Sequence, residues 1–542
     1  MKISPKSLLI KFGVPLFFVF YAMIGILIYS DFGCGPDEGM ERQTSLVNYK
    51  YVLETLRLSV KPEVTTWLGY LPPLLEYRDR FYGTAVQLPM VLIESAAMFK
   101  LEPAQYYGLR HLYNFVIFYC AMICFYLILK KRINHRGLAL TGTAMLILTP
   151  RFFAESFYNN KDILFLSWYI FSYFFLLRWL EKRTAVNALA AGVVLAFTVN
   201  TRMNGIALLP IAGLIVLVQA FQHEHRAVVS KITLKSGLIL LGAFAVTFWL
   251  ITPVYWEHPL RSFQEALAFN LSHPNHGSDG NLFMGQLVDS TKVWYYLPVW
   301  IVLTVPTLYL FFAAAGFFRM IVKSIRAAKS SAENEHRSID FLLTAGGLLP
   351  LAIIILFRVT VYNGWRHCYF VYPSLIYLAC LGIQALWGQN SSLSFFPKVR
   401  RTLTLAGIAL VMLGNLYWIV QNHPYQFAYF APIFRQYAPL FSGDTWGIAS
   451  RAMLEHIAET DSRTLITVNH AYTISGSINR GLLPEADRNR LDLVYESENA
   501  DYILFSRDDK TSAQASFPDF EKTFSIRVDQ DEIGIVFKRK DE

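Results

Sequence analysis

The chain has 542 residues and a formal net charge of +9; 54% of it is hydrophobic, 15% aromatic and only 16% charged. Soluble domains carry about a quarter charged residues, so an ordinary soluble enzyme is excluded. A disordered chain is excluded as well, because this much apolar surface does not stay solvated. The apolar residues fall in runs of roughly 16 to 23, the length that crosses a bilayer, which indicates a polytopic membrane protein.

The excess of Lys and Arg is accounted for by cytoplasmic loops, so no nucleic-acid partner is expected. Cys34, Cys120, Cys124, Cys368 and Cys380 are scattered, without a CxxC pair. Neither a disulfide framework nor a zinc site is indicated.

In chain order, Lys2, Lys6 and Lys11 flank an apolar run from about Leu9 to Tyr29 with no A-x-A cleavage site. This predicts a retained anchor with a cytoplasmic N-terminus. Just beyond it stands Cys34-Gly35-Pro36-Asp37-Glu38-Gly39. Gly and Pro mark a turn, and a helix along the membrane surface follows. Asp37 there is either a helix cap or, with Glu38, half of a carboxylate pair fit for general-base work.

Thr84–Phe99 is apolar but short and holds Gln87, Pro89 and Glu94. If it lies along the interface, Lys130–Arg136, Glu181–Arg183, Arg226–Lys235, Arg319–Arg337 and Lys398–Arg401 all face the cytoplasm. Later runs lie near 112–129, 137–153, 163–179, 185–199, 205–222, 237–254, 297–318, 341–357, 368–387 and 402–420. The expectation is about eleven spans with the C-terminus outside.

The outer segments then carry the chemistry. Arg151–Asp162 joins two spans as a loop and holds Arg151, Glu155, Asn159, Asn160, Lys161 and Asp162. Polar residues at membrane depth are costly and tend to be functional; the bland alternative is a solvated loop with Asp162 capping the next helix. Arg202 and the pair Arg366-His367 also sit at outer ends of spans. They either snorkel to the interface or, with Lys161 and Arg80, clamp a phosphate or diphosphate. Aromatic clusters such as Tyr255-Trp256 read either as a membrane belt or as rings that stack on carbohydrate. His258, His273, His276 and His367 lack zinc-motif spacing, and no P-loop, GxGxxG or GxSxG element occurs.

From 421 to 542 the apolar runs shorten to strand length, at Thr464–Val468, Tyr502–Phe505 and Ile533–Phe537, with a helix near Ile448–Glu459. The chain is therefore divided into a transmembrane module, 1–420, whose first outer loop spans 30–111 with interfacial helices, and a small extracytoplasmic α/β domain, 421–542.

Together, several segments resemble the GT-C glycosyltransferases that use polyprenyl-phosphate sugars, a clan that includes protein O-mannosyltransferases and lipid A aminoarabinose transferases. They are Pro36-Asp37-Glu38, the interfacial segment after it, Asn160-Lys161-Asp162, Arg202, Arg366-His367, His423-Pro424-Tyr425-Gln426-Phe427 and Asp444-Thr445-Trp446-Gly447. The resemblance implies a GT-C-like α-helical polytopic fold with a C-terminal α/β domain. It implies Asp37 as catalytic base with Glu38 beside it, and Asp162 as a second acid. Arg80, Asn159, Asn160, Lys161, Arg202, Arg366 and His367 would bind substrate. Related transferases carry Lys-Pro in the first outer loop, where this chain reads Arg80-Phe81-Tyr82-Gly83; Arg80 is expected to substitute. The only cofactor left open is a divalent metal, Mg or Mn, on Glu38 and Asp162.

The implied activity is inverting transfer of one hexose from undecaprenyl phosphate to a surface glycan such as lipopolysaccharide O-antigen, at a bacterial inner membrane. A lipid-linked glycan flippase and an O-antigen ligase or polymerase are the alternatives.

Overall fold

The structure is a computed structural model and describes residues 5–222, 226–271, 281–326, 331–387, 397–506 and 517–540. His273 and His276 lie outside the described residues. The helices are α1 (Pro5–Ile28), α2 (Pro36–Thr55), α3 (Pro62–Gly69), α4 (Leu88–Ala96), α5 (Pro103–Ile133), α6 (Arg136–Ile147), α7 (Pro150–Tyr158), α8 (Asp162–Glu181) and α9 (Ala185–Thr201). They continue with α10 (Leu208–Gln222), α11 (Arg226–Leu250), α12 (Pro259–Leu271), α13 (Tyr296–Thr304), α14 (Thr307–Arg326), α15 (Ser331–Leu356), α16 (Tyr372–Trp387), α17 (Pro397–Gln421) and α18 (Ala449–Thr460).

Among the described residues, six helices are long and apolar enough to cross a membrane, in α5, α8, α11, α15, α16 with the turn before it, and α17. Two further apolar pairs are bent, α6 with α7 at 67° and α13 with α14 at 117°, each a broken span or a re-entrant loop. With the shorter apolar helices α1, α9 and α10, these account for every run read as a span. The segment read as interfacial becomes α4, only 9 residues long. At 1.5 Å per residue that is about 13 Å, less than half the hydrocarbon thickness of about 30 Å.

One expectation is corrected. Arg151–Tyr158 is helix, not loop, because Pro150 at the first helical position starts a new helix where the run bends. Pro306 stands at the second bend, between α13 and α14.

The bundle packs around α8, which is buried on nearly every side, as expected of a helix apolar all round. Helices α14 and α16 approach through glycines. A Cβ on Gly382 would lie 2.1 Å from the Phe312 carbonyl, and one on Gly316 would lie 1.9 Å from that of Leu378. Small residues permit such contact between membrane helices. Gly382→Ala is therefore expected to destabilise by about 1–3 kcal/mol, measured as a lowered unfolding midpoint in detergent. At the far end of α5, Arg132 holds Asp340 of α15 through two bonds, 2.6 and 2.9 Å, and Tyr377 of α16 donates to the same carboxylate.

Two short strands, β1 (Asn281–Phe283) and β2 (Gln286–Val288), form a hairpin in the long loop after α11. The tail adds β3 (Ile466–Tyr472), β4 (Leu491–Val494), β5 (Tyr502–Ser506), β6 (Phe520–Val528) and β7 (Asp531–Arg539). They make one sheet in the order β4-β3-β5-β7-β6, parallel between β3 and its two neighbours and antiparallel elsewhere. Strand β6, at the edge of the sheet, escaped the sequence reading because the polar run Glu521-Lys522-Thr523 interrupts its apolar residues and hides any strand period.

The tail sits directly on the start of the first outer loop. Asn479 accepts from Cys34 N and donates to Cys34 O, both at 2.9 Å. Arg451 reaches the carbonyls of Ser30 (2.7 Å) and Phe32 (3.2 Å).

Candidate active site

The site forms where four pieces of chain meet: the N-terminus of α2, the turn between α7 and α8, the end of α9, and the turn before α16. Pro36 at the first helical position begins α2 and sets Asp37 and Glu41 one turn apart, on one face. The α7–α8 turn is built by Asn159, whose Oδ1 accepts from the N–H groups of Lys161 (3.3 Å) and Asp162 (2.8 Å). That caps α8 and aims both side chains inward.

Asp162 is fully buried and lies between two guanidinium groups. Arg202 donates to Oδ1, and Arg366 stands 3.7 Å from Oδ2. Arg366, itself buried, also donates to Asp37 Oδ2 at 2.7 Å. A continuous chain Asp37–Arg366–Asp162–Arg202 thus joins segments remote in sequence. Beside it, Lys161 Nζ donates to Glu41 at 2.6 Å and stands over the Tyr82 ring at 5.0 Å. Burial pushes the Glu41 carboxyl above its ordinary value, opposed by Lys161. Asn159 Nδ2 bridges Glu155 (2.7 Å) and Asp162 (3.4 Å), and Tyr369 donates to Glu155 at 2.7 Å.

Three features leave this network chemically open. The Asp37 side chain keeps 20% of its surface exposed; its Oδ2 is engaged and its Oδ1 has no hydrogen-bond donor among the described residues. The Nε–H groups of Arg202 and Arg366 are buried without a partner, as are both amide atoms of Asn160. Buried polar atoms are nearly always satisfied, so unmet donors beside a carboxylate point to a ligand.

Close approach of the first loop completes the wall. A Cβ on Gly83 would fall 1.8 Å from the Asn200 carbonyl, and Asn200 Oδ1 accepts from Ala85 N at 3.1 Å. From the tail, the Trp446 ring covers Arg366 at 4.7 Å. Asp444 anchors that ring by accepting from the N–H groups of Trp446, Ile448 and Ala449. Burial outweighs those donors and pushes the Asp444 carboxyl up to about 6. A carboxyl raised on folding stabilises the fold when protonated. Its contribution is complete below about pH 4 and lost as pH rises through about 6. Unfolding midpoints measured across this window are expected to fall with rising pH, and Asp444→Asn is expected to flatten that slope.

The remaining sequence candidates lie differently. Glu38 is fully buried and turned to other partners, accepting from Gly35 N at 2.9 Å and meeting His111 Nε2 at 2.9 Å. Arg80 bonds the Tyr77 carbonyl and faces Glu265 at 3.6 Å, outside the ion-pair chain. His367 packs edge-on against Tyr362, whose ring in turn lies 5.1 Å from Arg366. The structure does not unite Glu38 and Asp162 around a metal: Asp162 is held by two arginines that would repel another cation.

Glu41 and Tyr82 are not among the sequence candidates, and Trp446 enters only within the Asp444-Thr445-Trp446-Gly447 element, without a role of its own. Glu41 carried a usable signal, its spacing of four from Asp37 on one helix.

Residues 71–260 match the family model described as dolichyl-phosphate-mannose-protein mannosyltransferase. No curated protein matches the chain. Among solved structures, ArnT from Cupriavidus metallidurans in the apo state is 14% identical with a TM-score of 0.46, covering 97% of each chain. The same protein bound to undecaprenyl phosphate is 12% identical, with a TM-score of 0.44, covering 97% of this chain and 98% of that one. The Archaeoglobus fulgidus oligosaccharyltransferase AglB, in complex with an inhibitory peptide and a dolichol-phosphate, is 12% identical. Its TM-score is 0.43, and the match covers 92% of this chain and 70% of that one. The family match, spanning the first-loop wall, Lys161, Asp162 and Arg202, shows that the chain resembles the GT-C glycosyltransferases that use polyprenyl-phosphate sugars.

Proposed function

We propose that the protein is an inverting glycosyltransferase that moves one hexose from a polyprenyl phosphate to an extracytoplasmic acceptor, a surface glycan such as lipopolysaccharide O-antigen. The observation that carries this reading is a set of unmet groups in one network: the buried Nε–H of Arg366, which holds Asp37 by Oδ2 and leaves Oδ1 open, and the buried Nε–H of Arg202 on the neighbouring Asp162.

In this reading the lipid phosphate is leaving group and anchor at once, and it meets those Nε–H donors together with the Asn160 amide. Arginine suits a phosphate because its guanidinium offers several donors and keeps its charge when buried. The acceptor hydroxyl approaches Asp37 Oδ1, which takes its proton as the hydroxyl oxygen bonds to the anomeric carbon. The bond from that carbon to the phosphate oxygen breaks, and its electron pair departs with the phosphate toward Arg202 and Arg366. The gain comes from alignment and from donors fixed in advance where charge develops. A single in-line displacement inverts the sugar configuration. Asp162 keeps the two arginines in place, and Lys161 and Glu41 support the wall. The acidic and cationic groups face the extracytoplasmic side, and the basic loops the cytoplasm.

The test is purified protein supplied with labelled polyprenyl-phosphate hexose and a surface-glycan acceptor. Transfer with inversion supports the reading. Transfer from a diphosphate carrier and none from the monophosphate overturns it. Glycan mass analysis of cells with and without the gene identifies the sugar. Arg202→Lys, which keeps the charge but removes the Nε–H and the fork, is expected to raise KM for the lipid donor about tenfold or more, as for the loss of one charge-assisted bond.

A further inference from the structure

Away from the Asp37–Arg366 chain, the outer end of the anchor carries a second cluster that transfer chemistry does not use. Cys34 and Glu38 have no exposed surface, and His111, on α5, is 2% exposed. Their donor atoms all lie within 4.8 Å of one another, and no other such group of three occurs among the described residues. His111 Nε2 is 2.9 Å from Glu38 Oε2 and 3.9 Å from Cys34 Sγ.

The hydrogen bonds around the cluster orient it. His111 Nδ1 faces the Tyr29 carbonyl at 3.2 Å. A carbonyl only accepts, so Nδ1 carries the proton. In neutral imidazole, Nε2 then presents a lone pair toward a carboxylate oxygen and a sulfur. Three possible ligand atoms thus converge in a buried space, where a cation would be held from three sides. Glu38 Oε1 is spoken for by Gly35 N–H, which leaves Oε2 to point inward. An outer N–H···O=C bond that fixes the tautomer is the usual companion of a ligating histidine.

We propose that Cys34, Glu38 and His111 bind a zinc ion. Sulfur, oxygen and nitrogen donors are the set zinc accepts, and three protein ligands match sites in which water fills the fourth position. On binding, the Cys34 thiol loses its proton, and thiolate and carboxylate together neutralise the divalent charge. Without metal, burial and the neighbouring Glu38 hold that thiol proton on. The ion would fasten the end of α1, the start of α2 and α5 to one point. Because Glu38 adjoins Asp37, it would fix the direction in which α2 presents the carboxylate. This inference stands apart from the transfer reading and concerns a metal that does not enter the reaction.

The test uses the full-length protein in detergent, stripped with chelator and titrated with Zn²⁺ or Co²⁺ alone. The expected result is one ion per chain, a raised unfolding midpoint, and a sulfur-to-cobalt charge-transfer band. Cys34→Ser, which keeps the His111–Glu38 contact, should abolish that band and weaken binding at least tenfold; His111→Gln should also lower stoichiometry. A protein that takes up no cobalt and shows no shift with zinc overturns the proposal in favour of a plain imidazolium–carboxylate pair. Uptake that survives both substitutions overturns it too.

Discussion

Asp37→Asn is expected to lower the turnover of hexose transfer about 100- to 10,000-fold, the range ascribed to a positioned general base. The amide keeps the volume and can still accept from Arg366, so the unfolding midpoint should move little. Because Arg366 holds only Oδ2, the change removes the proton acceptor without dismantling the pocket. KM for the lipid donor should therefore hold while turnover falls. Transfer at the parent rate in this variant would remove Asp37 as the base.

Arg366→Ala carries the largest expected loss of stability. Arg366 is 5% exposed and lies between Asp37 and a fully buried Asp162. Deleting it leaves a buried carboxylate with Arg202 as its only cationic partner among the described residues and empties the space beneath Trp446. Removing one partner of a buried ion pair costs about 3–5 kcal/mol, to be read from thermal unfolding in detergent. Adding Asp162→Asn should recover part of that loss, because the stranded charge goes with it. Two neighbours in one network do not contribute additively. If the double variant is no more stable than Arg366→Ala alone, the coupling through Asp162 is refuted.

The same two residues illustrate how much could be read in advance. Asp37, Asp162, Lys161, Arg202 and Arg366 were each visible as charges at the ends of apolar runs, where burial is costly. That Lys161 belongs to Glu41 while Arg366 spans Asp37 and Asp162 was not visible, since those partners are separated by 120 residues or more. Glu38 shows the opposite failure. Its neighbour in sequence enters the site, yet helical geometry turns adjacent side chains about 100° apart, and Glu38 meets His111 instead. Arg80 was placed by analogy with a motif the chain lacks, and Glu265 of α12 claims it. In the tail, strands with continuous apolar runs were legible, whereas β4 and β6 emerge only by pairing with β3 and β7.

Local chain physics alone determined the apolar runs, the short interfacial segment, the anchor and the strand-forming tail. Each depends on segment length and hydrophobicity against the fixed thickness of a bilayer. The tertiary structure decided which carboxylate meets which cation, which guanidinium N–H groups stay unmet, and that the tail closes over Arg366. Those outcomes depend on how helices far apart in sequence come together, where one turn of rotation exchanges one partner for another.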